Sequence, residues 1–148
     1  MKFTVVTGSA GFIGFNLSKQ LLERGDNIIG IDNHNNYYDP KIKDSRKERL
    51  IKYPNYQHYK IDLTDEKGLN EIFNDHKPDS VVNMAAQAGV RYSLINPQKY
   101  LNTNIYGFIK LIDNLNKSKI KKIIYASSSS VYGDTKIYPT KEKTELNP

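Results

Sequence analysis

The 148-residue chain has no cysteine and no tryptophan, only two methionines and only three histidines. Without cysteine there is no disulfide, no thiolate metal ligand and no thiol nucleophile. His34, His58 and His76 lie far apart and lack ligand-like spacing, so no metal is expected. No apolar run approaches the roughly 20 residues that cross a bilayer, so a membrane role is not expected either. The apolar start, MKFTVVTGSAGFIGF, meets glycines rather than a small-residue cleavage site, which argues against a secretory signal and for the cytoplasm. Acids are scarcer than bases, 16 against 22, giving a net charge of +6. That excess invites a nucleic-acid partner, but the lysines are scattered among Asn and Glu. The densest cluster, KDSRKERLIK (43–52), alternates in sign and reads as a solvated helix face, so no nucleic acid is expected.

What is present alternates regularly. β-Branched or apolar runs at 2–7, 27–32, 56–61, 79–86 and 121–126 read as strands. Helical patterns stand between them: Ile13, Leu17 and Leu21; Pro40 to about Tyr53; Leu69, Ile72 and Phe73 behind a Thr64 cap; and a long one after Pro97 through Leu101, Ile105, Phe108, Ile109, Ile112 and Leu115. Strands alternating with helices imply right-handed crossovers. The expected fold is α/β, a doubly wound parallel sheet of Rossmann type with five strands in the order 3-2-1-4-5. One domain is expected over 1–148, with 132–148 as a polar tail.

GSAGFIG (8–14) sets glycines at 8, 11 and 14 between a strand and a helix. Gly8 permits the turn, Gly11 lets the backbone approach a pyrophosphate, and Gly14 lets the helix pack on the sheet. With Phe12 and Ile13 they open a helix whose free N–H groups suit phosphates. Asp32 ends the second strand, where a carboxylate accepts from an adenosine ribose and repels a 2′-phosphate, favouring NAD over NADP by at least tenfold.

With GxxGxxG, Asp32, DLTD after the third strand, NMAAQAGVRYS after the fourth and SSSSVYG after the fifth, the chain resembles the extended short-chain dehydrogenase/reductase superfamily. Within it the likeness is to NAD-dependent epimerases and dehydratases of nucleotide sugars. DNHNNYYDPKIKDSR (32–46) and AAQAGVRYSLINPQKYLNTNIYG (85–107) resemble motifs of UDP-glucuronate 4-epimerases. The resemblance spans the chain but only the N-terminal part of such an enzyme, without its C-terminal substrate domain. It implies NAD as cofactor and a UDP-sugar of the UDP-glucuronate/galacturonate class as substrate. It implies that Asp32 and Asn33 hold the ribose, that Asp62 and Leu63 flank the adenine, that Met84, Ala85 and Ala86 pass close to the dinucleotide, and that Asn104 supports the site. Arg91 would reach the sugar nucleotide. Each has a plainer alternative: Asp62 could cap a helix, Ala85 and Ala86 could be sheet packing, and Arg91 could form a structural ion pair.

By the same resemblance, Ser128 matches the hydroxyl that touches both the sugar's reacting oxygen and the catalytic tyrosine, and Ser130 a second hydroxyl near the substrate. Sugar dehydratases carry an acid–base pair there, which Ser128, Ser129 and Ser130 do not supply, so epimerisation is the better reading. The family's tyrosine belongs to a YxxxK motif on the helix after the fifth strand. Four matches occur here (Tyr37/Lys41, Tyr56/Lys60, Tyr106/Lys110 and Tyr132/Lys136), none in that place. The expectation is therefore an NAD-binding part that is inactive alone. The alternatives are half of a split enzyme completed by a separate chain, or a non-catalytic NAD-binding or assembly module. Strand 121–126 and the helix from Pro97 are expected to support a homo-oligomer.

Overall fold

The computed structural model describes residues 2–148. Five strands, β1 (Phe3–Thr7), β2 (Asn27–Ile31), β3 (Tyr56–Tyr59), β4 (Ser80–Asn83) and β5 (Ile123–Tyr125), form one sheet in the order β3-β2-β1-β4-β5. All neighbours run parallel. The helices are α1 (Phe12–Glu23), α2 (Pro40–Leu50), α3 (Glu66–His76), α4 (Val90–Ile95), α5 (Pro97–Tyr100) and α6 (Phe108–Lys117). A π-helical turn, Leu101–Gly107, joins α5 to α6. The expected fold and strand order are both present.

Alternation along each strand explains why both faces are covered. Val5 lies level with Ile29 and Val81, and all three pack with Leu69, Ile72 and Phe73 of α3 and Leu111 and Leu115 of α6. Val6, Ile28 and Val82 join the opposite core, with Phe15 and Leu22 of α1 and Leu50 of α2. Each such side chain contributes roughly 1.5–3 kcal/mol by leaving water. The chain reverses direction of travel between β1 and β4, so the turns after β1 and β4 part there and leave a crevice at the strands' C-terminal ends.

Several local expectations change. Helix α1 buries Gly14, Phe15, Ser18 and Leu22 because Gly14 must face the glycine loop; of the expected stripe, Leu17 and Leu21 pack half-buried on that core and Ile13 is exposed. Asp65, not Thr64, caps α3, accepting from the Gly68 amide at 3.0 Å. Leu101, Ile105 and Ile109 are exposed, and α6 buries Leu111, Asn114 and Leu115 instead. The expected solvated face at 43–52 fails at Lys43 and Leu50, which are both buried. After a 3₁₀ turn at Ser129–Tyr132 the chain has no regular element, but the Asn147 amide returns to the Val131 carbonyl at 3.0 Å.

Candidate functional site

The glycine loop is built by contact. Gly8 has φ +67°, and a Cβ there would lie 2.8 Å from the Ala85 nitrogen. A Cβ on Gly14 would lie 2.1 Å from the Gly8 carbonyl oxygen, so only glycine lets α1 start this close to the loop. Gly11 precedes α1 without any side-chain cap, and the first turn carries no acid. Its amides therefore remain available to an anion, with the partial positive charge of the helix end behind them. Buried Thr7 ties the two neighbouring turns together: its hydroxyl donates to Asn83 Oδ1 at 2.5 Å and accepts from the Ala85 amide at 3.1 Å.

A cleft of about 280 Å³ opens over this loop. It is lined by Gly8, Gly11, Phe12, Ile13, Gly14, Asp32, Asn33, Asp62, Leu63, Met84, Ala85 and Ala86, all expected from the sequence. Asn104 stands behind the lining, its amide group pairing with the Gln87 backbone at 2.8 and 3.0 Å. Arg91 is exposed on α4 and outside the lining. Ser128 and Ser130 are also outside it, just beyond the C-terminal end of β5 and exposed. The Ser128 hydroxyl donates to Ser130 Oγ at 3.1 Å and accepts from the Ser130 amide at 3.2 Å, capping the 3₁₀ turn.

Two carboxylates stand in the cleft wall. Asp32 accepts from the Ala10 amide (3.1 Å), the His34 amide (2.9 Å) and Lys43 Nζ (2.8 Å). Asp62 accepts from Asn33 Nδ2 (2.6 Å) and from the Thr64 amide and hydroxyl (2.9 and 2.8 Å). Burial acts to raise Asp62, but these hydrogen bonds outweigh it and hold the carboxyl below the usual range. It caps no helix; it fixes the loop that carries Leu63. Free amides at one end and carboxylates along the wall suit a dinucleotide, with pyrophosphate on the first and ribose hydroxyls on the second.

Sequence reasoning missed Lys43, Tyr37, Tyr38, Asn35, Gln87 and Thr103, which also line the cleft. Lys43 had a signal. It stands seven residues before Leu50, two turns along one helix face, so both point inward. It also missed a polar chain beneath the loop. His34 Nδ1 meets Asp44 at 2.8 Å, His34 Nε2 meets His58 Nε2 at 3.0 Å, and His58 Nδ1 meets the Tyr56 hydroxyl at 3.0 Å. Tyr56 donates in turn to Ser9 at 3.2 Å. Burial, aided by the His34 and Lys47 charges, pushes His58 down to about 4. Burial pushes Tyr56 up to about 12, against the Ser9 hydrogen bond and with the Asp32 charge.

Comparison with known proteins adds four findings. A family model described as GDP-mannose 4,6 dehydratase matches residues 5–148. An uncharacterised protein of Methanocaldococcus jannaschii is 47% identical over 148 residues, covering 99% of this chain and 45% of its own length. A UDP-glucuronate 4-epimerase of Thermodesulfobacterium geofontis is 40% identical over 132 residues, covering 89% of this chain and 41% of its own. Among solved structures, a Bacillus cereus UDP-glucuronic acid 4-epimerase mutant, in complex with NAD and UDP-4-deoxy-4-fluoro-glucuronic acid, aligns with TM-score 0.84 and 30% identity. That alignment covers 99% of this chain and 46% of the other. The chain spans less than half the length of these relatives.

Proposed function

We propose a function from one premise: the chain belongs to the GDP-mannose 4,6-dehydratase family. It is the dinucleotide-binding part of a NAD-dependent nucleotide-sugar 4-epimerase of the UDP-glucuronate kind. The observation that carries this reading is the cleft itself, in which an uncapped glycine loop faces Asp32 and Asp62 across a single crevice.

The roles follow from position. The amides at the start of α1 would bind the pyrophosphate, and Asp32 with Asn33 would orient the adenosine ribose. Asp62, kept ionised by Asn33 and Thr64, fixes the loop against the adenine. Gly8 and Ala85 bring two backbone turns together with no side chain between them. Ser128 and Ser130, just beyond the C-terminal end of β5, would hold the sugar's reacting hydroxyl. NAD, when bound, supplies a reversible hydride acceptor. The serine turn has no carboxylate of its own, which favours epimerisation over dehydration even though the family description names a dehydratase. An exposed β5 edge and the exposed Leu101, Ile105 and Ile109 of the helical run after Pro97 fit a homo-oligomer.

Calorimetry with NAD tests the reading; saturable binding is expected, and its absence would overturn it. The 148-residue polypeptide should not convert UDP-glucuronate to UDP-galacturonate. Its YxxxK match after β5, Tyr132/Lys136, does not lie on an α-helix, and loss of a general base alone costs about 10²–10⁴-fold in rate. Robust turnover would show that another tyrosine serves as the base.

A further inference from the structure

Tyrosines join two loops that the sheet holds apart. The strand order puts β1 between β2 and β4, so the turns after β2 and β4 leave the sheet on either side of the glycine loop, roughly 10 Å apart. They nevertheless meet. Tyr37, near the tip of the segment between β2 and α2, packs on Tyr92 of α4 with ring centroids 5.0 Å apart and planes tilted by 53°. Its hydroxyl fills the space beside Gly89, where a Cβ would collide with it. Because this contact joins the two sides of the glycine loop, it crosses the mouth of the cleft. The two ends are held differently. On the β4 side the Tyr100 hydroxyl donates to the Ala88 carbonyl at 2.9 Å, and the Tyr92 ring lies 6.3 Å from that of Tyr100. On the β2 side the base is anchored by Asn33 on Asp62, but the tip is held only locally: the Asn35 amide donates to Asn33 Oδ1 (3.0 Å) and the Tyr37 amide to Asn35 Oδ1 (3.3 Å). Among the described residues no hydrogen bond joins 35–37 to 85–100, so packing alone closes the span.

We propose that Tyr37 and Tyr92 form a gate across the cleft that must part for a dinucleotide to enter or leave, with Tyr92 as a positioning residue that acts through Tyr37. The inference rests on the dinucleotide reading given above. Size supports it. At about 280 Å³ the closed cleft falls below the roughly 300–1,000 Å³ of sites for drug-sized ligands, and a dinucleotide is larger than those. Energy supports it too. One aromatic pair favours the closed arrangement by about two- to tenfold, enough to hold the gate and too little to lock it. Binding that waits on such an opening is slowed in both directions. Tyr37 lines the cleft and Tyr92 does not, so a change at Tyr92 acts on a bound dinucleotide through the ring that it holds.

The test is stopped-flow fluorescence with NADH as the probe, giving association and dissociation rate constants for the wild-type chain and its variants. Tyr92→Ala should raise both constants about two- to tenfold, the size of one aromatic pair, so that Kd moves less than either rate. Tyr92→Phe keeps the ring and should restore the wild-type rates. Tyr37→Ala combined with Tyr92→Ala should be no faster than Tyr37→Ala alone, because each substitution removes the same contact. Folding should survive, since α4 buries none of its residues and Tyr37 is 41% exposed. Where circular dichroism shows that Tyr92→Ala does not fold, Tyr37→Ala carries the test and must raise both rates. Unchanged rates in the folded variant, a rise in dissociation without one in association, or additive effects in the double variant would overturn the proposal. Failure of the wild type to bind NADH would overturn the function proposed above, and this inference with it.

Discussion

His58 joins a buried hydrogen-bonded chain to the underside of the glycine loop, and its titration has a definite consequence. It titrates at 6.5 when unfolded and near 4 when folded. Between those values the unfolded chain binds the extra proton, so this stability is present above pH 6.5 and is lost as pH falls toward 4. Thermal melts should show Tm falling across that window, and His58→Gln should flatten the fall. A slope indifferent to the substitution would assign the effect to other groups. At this scale the sequence was legible where a residue type has one common use in one place. Asp32 at the end of β2 and the glycines at 8, 11 and 14 were readable for that reason. The His34–His58 contact was not, because it joins β3 to the turn after β2 across 24 residues, and nothing local records such a pairing.

At the scale of elements, the glycine loop and α1 act as one piece. Gly14→Val would force its side chain into the Gly8 carbonyl. A destabilisation of about 1–3 kcal/mol is expected from overpacking, together with loss of dinucleotide binding, read by chemical denaturation and calorimetry. Binding at wild-type strength would mean that the loop does not hold the pyrophosphate. The same contact turns the α1 stripe so that Ile13 is exposed while Leu17 and Leu21 stay half-buried. The helix carries apolar residues on two adjoining stripes, and the need to turn Gly14 inward chose the one through Phe15 and Leu22. The sheet was easier to read, since strands apolar on both sides need cover on both sides and the crossovers then fix the order. Helix α4 was illegible for the converse reason: it buries none of its six residues, so no burial pattern marks it.

For the whole molecule, much apolar surface stays uncovered. Leu94 on α4 is 84% exposed and Ile124 on β5 is 58% exposed, with the outer edge of β5 unpaired among the described strands. Such an edge templates pairing with another chain. Sedimentation of the 148-residue polypeptide at micromolar concentration should show self-association, and Ile124→Lys should reduce it if the edge carries the contact. A clean monomer would exclude it. Helix α2 shows how unevenly the rest is moored. Over eleven residues it buries only Lys43 and Leu50. Leu50 is a conventional apolar anchor at the C-terminal end, whereas Lys43 is a charge held by Asp32. The first half of α2 is thus moored in part through the same carboxylate that faces the cleft, beside the Asp44–His34 and Arg46–Ala10 contacts. A group that bonds to Asp32 from the cleft therefore shares its carboxylate with the anchor of a surface helix.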